Sequence, residues 1–333
     1  MAESANSNHQ SQQCVHCGSN EFETISDALN FDDGEGGFHL ARCAGCGLTR
    51  TSPLLSHEAL ANYYKIDYYG TGTQKFFSPM EWAVQWSAGR MADKILHQLH
   101  QRLGAAGKAL SVLDIGCGRG TLLRMLAKRG VNCTGVERAE FPSDETVAGI
   151  EMRHGDFVTM DFQAQRFDAV VIWHVLEHLV NPGDVLEKVK AILAPGGLLL
   201  IAVPNYGSVQ AKLFGNKWFH LDVPRHVYHF NLESVGSLLS KQQFKVQKVS
   251  TWCPDQSLYG FIQSVLNSAR LFRQNDLYAV LKASGQRRLT MSAMVQVILA
   301  GIITPVAIVE YLLTGLMGKG SCLIINATRQ SKD

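Results

Sequence analysis

Four cysteines are spaced to hold a metal ion. Cys14, Cys17, Cys43 and Cys46 form two C-x2-C pairs with 25 residues between them. Two such knuckles bring four thiolates tetrahedrally around one ion, and Gly18 and Gly47, directly after each pair, suit the tight turn a knuckle makes. The spacing therefore predicts a structural zinc ribbon over residues 14–52. A zinc knot can also grip nucleic acid. From Cys14 to Arg50, however, six acids (Glu21, Glu23, Asp27, Asp32, Asp33 and Glu35) outnumber two bases (Arg42 and Arg50), and a net charge of −4 is wrong for phosphate contact. The ribbon reads instead as a small domain stapled by metal because it cannot bury enough core alone.

A second group of chemically able residues is a run of histidines. Five of the twelve, His174, His178, His220, His226 and His229, fall within 56 residues. His174, Glu177 and His178 have the i, i+3, i+4 spacing that puts three side chains on one face of a helical turn. Three readings follow. One of His178, His220 or His226 is a general base working near its ordinary pKa of about 6.5. Alternatively, His174, Glu177, His178 and a later histidine such as His226 hold a divalent metal that acidifies a hydroxyl. In the third, the histidines only pack the motif.

Positioning these residues requires a sheet. From Ala109 onward, short apolar runs alternate with amphipathic ones, the pattern of an α/β fold with a parallel sheet covered on both faces. Leu110–Ile115 reads as a strand that runs into Gly116, Gly118 and Gly120 and then a helix from Thr121 to Arg129. Glycines there let backbone approach a ligand at a helix N-terminus. A dinucleotide fingerprint would place glycine at 121, where this chain has Thr, and Asp114 precedes the first glycine by two. An acid at that point suits a ligand with a positive amino group. The next strand, Asn132–Val136, ends at Glu137, whose carboxylate can take both ribose hydroxyls. Asp156 and Phe157 close the third strand, and Phe167–Leu179 holds the fourth.

These residues resemble the class I S-adenosylmethionine-dependent methyltransferases. VLDIGCGRG is similar to their first motif, Glu137 to their ribose acid, GDF (155–157) to their adenine-edge loop, and LAPGGLLLIAVPN (193–205) to their fifth strand and its approach. The resemblance implies a Rossmann-like seven-stranded sheet, with Lys245–Trp252 as sixth strand and Cys322–Thr328 as a reversed seventh. It implies that Asp114 orients the methionine amino group, directly or through water, and that Gly116 and Gly118 make room for the methionyl part. Asp156 would bond the adenine amine, Phe157 pack beside the ring, and Trp173 and His174 face the sulfonium and the acceptor. The histidine group is similar to the E-x-x-E-H site of small-RNA 2′-O-methyltransferases and to strand-four residues of ubiquinone O-methyltransferases, with His174 in place of the first Glu.

Composition bounds the rest. A chain of 333 residues predicts about two domains. A net charge of +2 gives no field for a polyanion, so nucleic acid is an unexpected partner. Eight cysteines are too few for a disulfide-built fold, and Met1–Gln13, a polar tail expected to be disordered, has no apolar signal region, so a reducing, cytoplasmic setting is expected. Charged residues are 18% of the chain against about 25% ordinarily, and Leu289–Ile325 carries only Glu310 and Lys319. Residues 53–104 read as a helical leader, 105–252 with 319–330 as the methyltransferase domain, and 253–318 as an apolar helical insert between the last two strands.

A helical hairpin of Leu258–Phe272 and Val295–Met317 in that insert, joined by a stretch with Arg270, Arg273, Lys282, Arg287 and Arg288, suits peripheral contact with the inner face of a membrane through 258–317. A lid over the acceptor or a homo-oligomer interface suits it too. In the leader, Tyr63, Tyr64, Tyr68 and Tyr69 could line a pocket mouth. The resemblance extends to zinc-bearing bacterial sugar C-methyltransferases. The expected activity is methylation of a hydroxyl on a lipid, quinone or sugar with a histidine base. The alternatives are C-methylation of a nucleotide-linked keto sugar, metal-assisted RNA 2′-O-methylation, and a scaffold that binds the cofactor without chemistry.

Overall fold

The computed structural model describes residues 13–64 apart from 33 and 35, 78–104, 109–138, 149–281 apart from 270 and 273, and 291–330. Three short antiparallel strands open the chain: β1 (Phe22–Ala28), β2 (Phe38–Cys43) and β3 (Thr49–Ser52). Helix α1 (His57–Ala61) follows, with the Ser56 hydroxyl accepting from the Ala59 N–H at its start. The helical leader expected over 53–104 thus begins with about one turn and a half at His57–Ala61, and Tyr68 and Tyr69 lie outside the described residues. The long α2 (Ser78–Leu103) leads into the main sheet.

That sheet has seven strands: β4 (Ser111–Ile115), β5 (Asn132–Glu137), β6 (Ile150–His154), β7 (Phe167–Trp173), β8 (Leu193–Pro204), β10 (Phe244–Ser250) and β11 (Cys322–Arg329). Their order is β10-β11-β8-β7-β4-β5-β6. Pairs among β4 to β8 are parallel, and β11 runs antiparallel to both neighbours, the reversed last strand expected from the sequence. Alternation along the central strands assigns each side chain to a face. Val112, Val171 and Leu200 point towards α2 and α3 (Thr121–Ala127), meeting Ile95, Leu99, Leu123 and Leu126. Leu113, Ile172 and Ile201 point the other way, towards α4 (Pro182–Ile192) and α6 (Leu232–Lys241). Burial on both faces explains why β7 and β8 are continuous apolar runs.

Chain order reverses between β4 and β7, and in open α/β sheets ligands bind beyond the carboxyl ends at that point. Two further segments gather there. After β8, α5 (Val209–Phe214) and an irregular stretch lead to β9 (Tyr228–His229), which pairs with β3 and completes the ribbon sheet in the order β1-β2-β3-β9. Between β10 and β11 the insert forms α7 (Pro254–Ser268), α8 (Asp276–Leu281) and α9 (Met291–Leu316), with α9 lying along α7. Of the basic residues expected to join its two long helices, Arg270, Arg273, Lys282, Arg287 and Arg288 lie outside the described residues.

Candidate active site

One cavity of about 840 Å³ spans the carboxyl ends of β4, β5, β6, β7 and β8. Its first half is the glycine loop. Gly116 has φ +70°, and a Cβ there would stand 2.4 Å from Val175 Cγ2, so only glycine lets the loop pass beneath the turn after β7. Gly118 has φ +52° with nothing within 4 Å of its missing Cβ, which leaves its backbone open to a ligand. Glu137, at the end of β5, accepts from the Gly118 N–H (2.9 Å) and the Arg138 N–H (2.8 Å), binding the loop to the strand. Asp156 accepts from the Val158 N–H (2.9 Å) and pairs with Arg138 (3.1 Å), and Phe157 is buried against Phe162.

Gly116, Gly118, Glu137, Asp156, Phe157 and Trp173 all line the cavity. Asp114 is not among the lining residues. It is buried behind the loop, where burial and the nearby Glu137 carboxylate raise its pKa to about 8. Arg138, which no motif flagged, joins the two acids: its backbone N–H donates to Glu137 and its guanidinium pairs with Asp156; only its position directly after Glu137 could have pointed to it.

The histidines do not form one group. His174 has φ +54°, and Leu176–His178 is a 3-10 turn, so the helical face expected from the spacing is not made. The four-residue metal set of His174, Glu177, His178 and His226 is divided accordingly. Glu177, His178 and His226 bring ligand atoms within 4.8 Å of one another, while His174 turns its Nε2 to Cys322 Sγ at 3.8 Å, with Cys253 beside it. The Glu177 carboxylate stands between the two groups, 3.4 Å from His174 Nδ1 and 4.0 Å from His226 Nε2. It is 1% exposed, and neither oxygen has a hydrogen-bond partner among the described residues. Burial alone would lower the His174 pKa, but contacts with Cys253 and Glu177 raise it to about 10.

His178, His220 and His226 differ in what they can do. His178 Nδ1 lies 3.0 Å from the Arg225 carbonyl, which can only accept, so this nitrogen carries the proton and Nε2 keeps its lone pair. The Tyr64 hydroxyl is 2.9 Å from the same nitrogen. His220 donates from Nε2 to the Gln256 carbonyl (3.0 Å), and burial together with the charge of His174 lowers its pKa to about 4. His226 donates from Nδ1 to the His220 carbonyl (2.8 Å), and burial drives its pKa well below the ordinary value. His229 meets the Thr51 hydroxyl at 3.0 Å, which joins β9 to β3.

The second half of the cavity is aromatic. Phe31 from the ribbon, Phe219 from the stretch after β8, Tyr259 from α7 and Tyr278 from α8 make a wall with neighbouring centroids 5.1 to 6.2 Å apart. Tyr64 also lines the cavity, as the tyrosine cluster suggested, whereas Tyr63 contributes a backbone carbonyl to Arg225. Arg225 holds this wall together: it pairs with Asp222 (2.5 Å) and with Asp32 of the ribbon (2.7 Å) and stands 5.0 Å from the Phe31 ring. The ribbon is therefore part of the site. Behind it, Cys14 and Cys46 lie 3.5 Å apart and Cys17 and Cys43 3.4 Å, and all four sulfurs fall within 4.8 Å. Sulfurs about 2.3 Å from one tetrahedral zinc would be about 3.8 Å apart, so the set is compatible with that ion. Burial pushes the Cys43 thiol up, but hydrogen bonds with the Cys46 and Gly45 backbone and the Cys17 side chain bring it to about 7.

Comparison with known proteins agrees with the geometry. Residues 87–249 match the sequence model of a family described as a methyltransferase domain. A ubiquinone biosynthesis O-methyltransferase from Pseudomonas aeruginosa is 32% identical over 168 residues, which span 44% of this chain and 71% of that protein. Its counterpart from Maricaulis maris is 28% identical over 193 residues, 55% of this chain and 76% of the relative. Among solved structures, phosphoethanolamine N-methyltransferase 2 of Haemonchus contortus overlaps 72% of this chain and 53% of its own, with 18% identity and a TM-score of 0.46. The motif series, the sheet order and a relative matched at 32% identity over 71% of its length agree, and the chain belongs to the S-adenosylmethionine-dependent methyltransferases.

Proposed function

We propose that the protein methylates a hydroxyl on a quinone-type, lipid-linked acceptor, with His178 as general base. The observation that carries this reading is the aromatic wall of Phe31, Phe219, Tyr259 and Tyr278 on the cavity that also receives His178. A flat apolar ring stacks or meets edge-on against such a wall, and a hydroxyl on it can then be turned to a nitrogen. The names of the relatives support O-methylation of an acceptor of this kind.

The glycine-loop half fits the cofactor, because the backbone at Gly118 is open where a side chain would stand. When bound, S-adenosylmethionine supplies a methyl group on a sulfonium that is already a good leaving group. Glu137 holds the ribose hydroxyls, Asp156 the adenine amine and Phe157 one side of the ring. Gly116 and Gly118 make room for the methionyl part, Asp114 acts on its amino group from behind the loop, and Trp173 borders the acceptor. What the chain adds to the reaction is alignment and removal of a proton. His178 takes the hydroxyl proton at Nε2, and the buried Glu177 carboxylate nearby favours the resulting imidazolium. His220 and His226 stay neutral. The ribbon cysteines hold zinc, and their role is to seat Phe31 and Asp32.

The same reading extends to the membrane. Helix α9 turns Ile298, Ile302, Val306, Val309 and Leu316 outward, all more than half exposed, while its one charge, Glu310, turns inward to Gln210 at 2.9 Å. It lies along α7 and α8, which wall the cavity. A bilayer surface covering α9 would bring a lipid-linked acceptor to those two helices, with the protein peripheral on the inner face.

The test is methyl transfer to a hydroxylated quinone or catechol by the purified chain. His178→Ala is expected to lower kcat by about 10²–10⁴-fold with cofactor Kd unchanged, and Tyr278→Ala to raise the acceptor KM with cofactor Kd unchanged. Loss of turnover on mild chelation, restored by Mg²⁺, would transfer the role of His178 to an ion on Glu177, His178 and His226. Methylation of keto sugars with no transfer to any hydroxylated ring would overturn the acceptor class.

A further inference from the structure

We propose that His174, Cys253 and Cys322 form a second thiophilic cation site, filled by Zn²⁺, with its fourth coordination position towards the cavity. The three residues come from separate elements: His174 directly follows β7, Cys253 directly precedes α7, and Cys322 opens β11. Their ligand atoms all lie within 4.8 Å of one another. His174 Nε2 is 3.8 Å from Cys322 Sγ. Ligands about 2.0 Å (nitrogen) and about 2.3 Å (sulfur) from a tetrahedral zinc stand about 3.6 Å apart, so little movement closes the shell. The ribbon sulfurs, at 3.4 and 3.5 Å, depart from their ideal by a similar amount.

The group behind His174 is a second, independent observation. Its Nδ1 faces the Glu177 carboxylate at 3.4 Å, and that carboxylate is buried with neither oxygen in a hydrogen bond among the described residues. An imidazole that binds metal through one nitrogen ordinarily gives its other N–H to a carboxylate, which fixes the ring and raises its basicity. Buried cysteines acting only as small apolar side chains would explain neither the ring direction nor the carboxylate.

Cys253 and Cys322 are buried with Ala202, and Trp173 and Ile324 complete an apolar shell. His174 lines the cavity, and so does Asp255, whose Oδ1 is 3.3 Å from Cys253 Sγ. Three protein ligands with one position towards a cavity is the arrangement of a zinc that polarises an oxygen. Loading such a site releases the two thiol protons and any proton on the imidazole to solvent. The oxygen it would take is a hydroxyl or a water.

Zinc content and zinc coordination decide the matter, and neither requires turnover, so the outcome is separate from that of the methyl-transfer assay. The full chain, purified under reducing conditions and loaded with Zn²⁺, is freed of unbound ion and counted by plasma mass spectrometry. Cys253→Ala and Cys322→Ala are each expected to hold one equivalent fewer than the wild type. The zinc K-edge spectrum of the wild type is expected to contain nitrogen as well as sulfur, and either variant to return a sulfur-only shell. A sulfur-only shell in the wild type, which needs no folded variant, overturns the site. Zinc content that neither substitution lowers overturns it too, as does a Cys253–Cys322 disulfide in the reduced preparation.

Discussion

Gly116 and Gly118 share a left-handed backbone and little else. Gly116→Ala drives a methyl group into Val175, so it is expected to cost about 1–3 kcal/mol of stability and lower the melting temperature with or without cofactor. Gly118→Ala meets no atom, so its cost is the backbone strain of about 1–2 kcal/mol, and its larger effect is expected on cofactor affinity. Thermal melts with and without S-adenosylmethionine separate the two; equal behaviour would contradict the placement. Asp114 carries the second prediction at this scale. Its folded pKa of about 8 exceeds the unfolded value of about 3.9, so the folded chain keeps a proton the unfolded one has lost, and this group's contribution to stability falls as pH rises between those values. A cationic amino group brought to the loop favours the ionised form. Cofactor binding near pH 7 is therefore expected to release a proton, measured by calorimetry in buffers of different ionisation enthalpy, and binding without release would remove Asp114 from the cofactor site. The type and order of these residues were legible in the sequence. The directions of the histidine rings were not: carbonyls distant in sequence set two of them, Arg225 for His178 and Gln256 for His220, and the local fold of one irregular stretch sets the third, His220 for His226.

At the scale of elements, short apolar runs marked the first strands of the main sheet, because burial on both faces leaves a central strand little choice of side chain, and the last three strands lie where the family resemblance implied them. The turn after β7 is a 3-10 turn and not a helical one. Its i, i+3, i+4 spacing suits a helix, but the chain must leave a central strand over Gly116, and His174 takes a left-handed conformation instead. Strand β9 was also not legible: two residues have no periodicity, and β3 alone makes them a strand. Helix α9 was found as an apolar run, and the structure adds which face is bare. Ile302 and Val309 are 66% and 55% exposed, so Ile302→Glu with Val309→Glu disturbs little packing. The wild type is expected to float with anionic vesicles and the double variant to remain soluble at an unchanged melting temperature. A wild type that stays soluble would contradict the membrane reading.

Across the whole molecule, the ribbon, the segment after β8 and the insert meet around Arg225. Its side chain is 4% exposed and that of Asp222 14%. Arg225→Met leaves the Asp222 charge buried without its partner, and breaking such a pair costs about 3–5 kcal/mol. Denaturant unfolding is expected to show that loss, together with a rise in acceptor KM as Phe31 and Asp32 lose their tie to the cavity. An unchanged KM would mean that the ribbon does not shape the acceptor wall. The sequence by itself determined the cysteine knuckles, the glycine loop with its two acids, the succession of strands along the chain, and the apolar insert. Those are local: each depends on spacing along one stretch of chain or on burial of one element. Only the tertiary structure decided that the ribbon forms part of the cavity wall, that Glu177 stands between two histidine groups, and that Cys253 and Cys322, 69 positions apart, face His174. Such contacts join elements distant in sequence, and no periodicity within any of them records which partner the fold will bring.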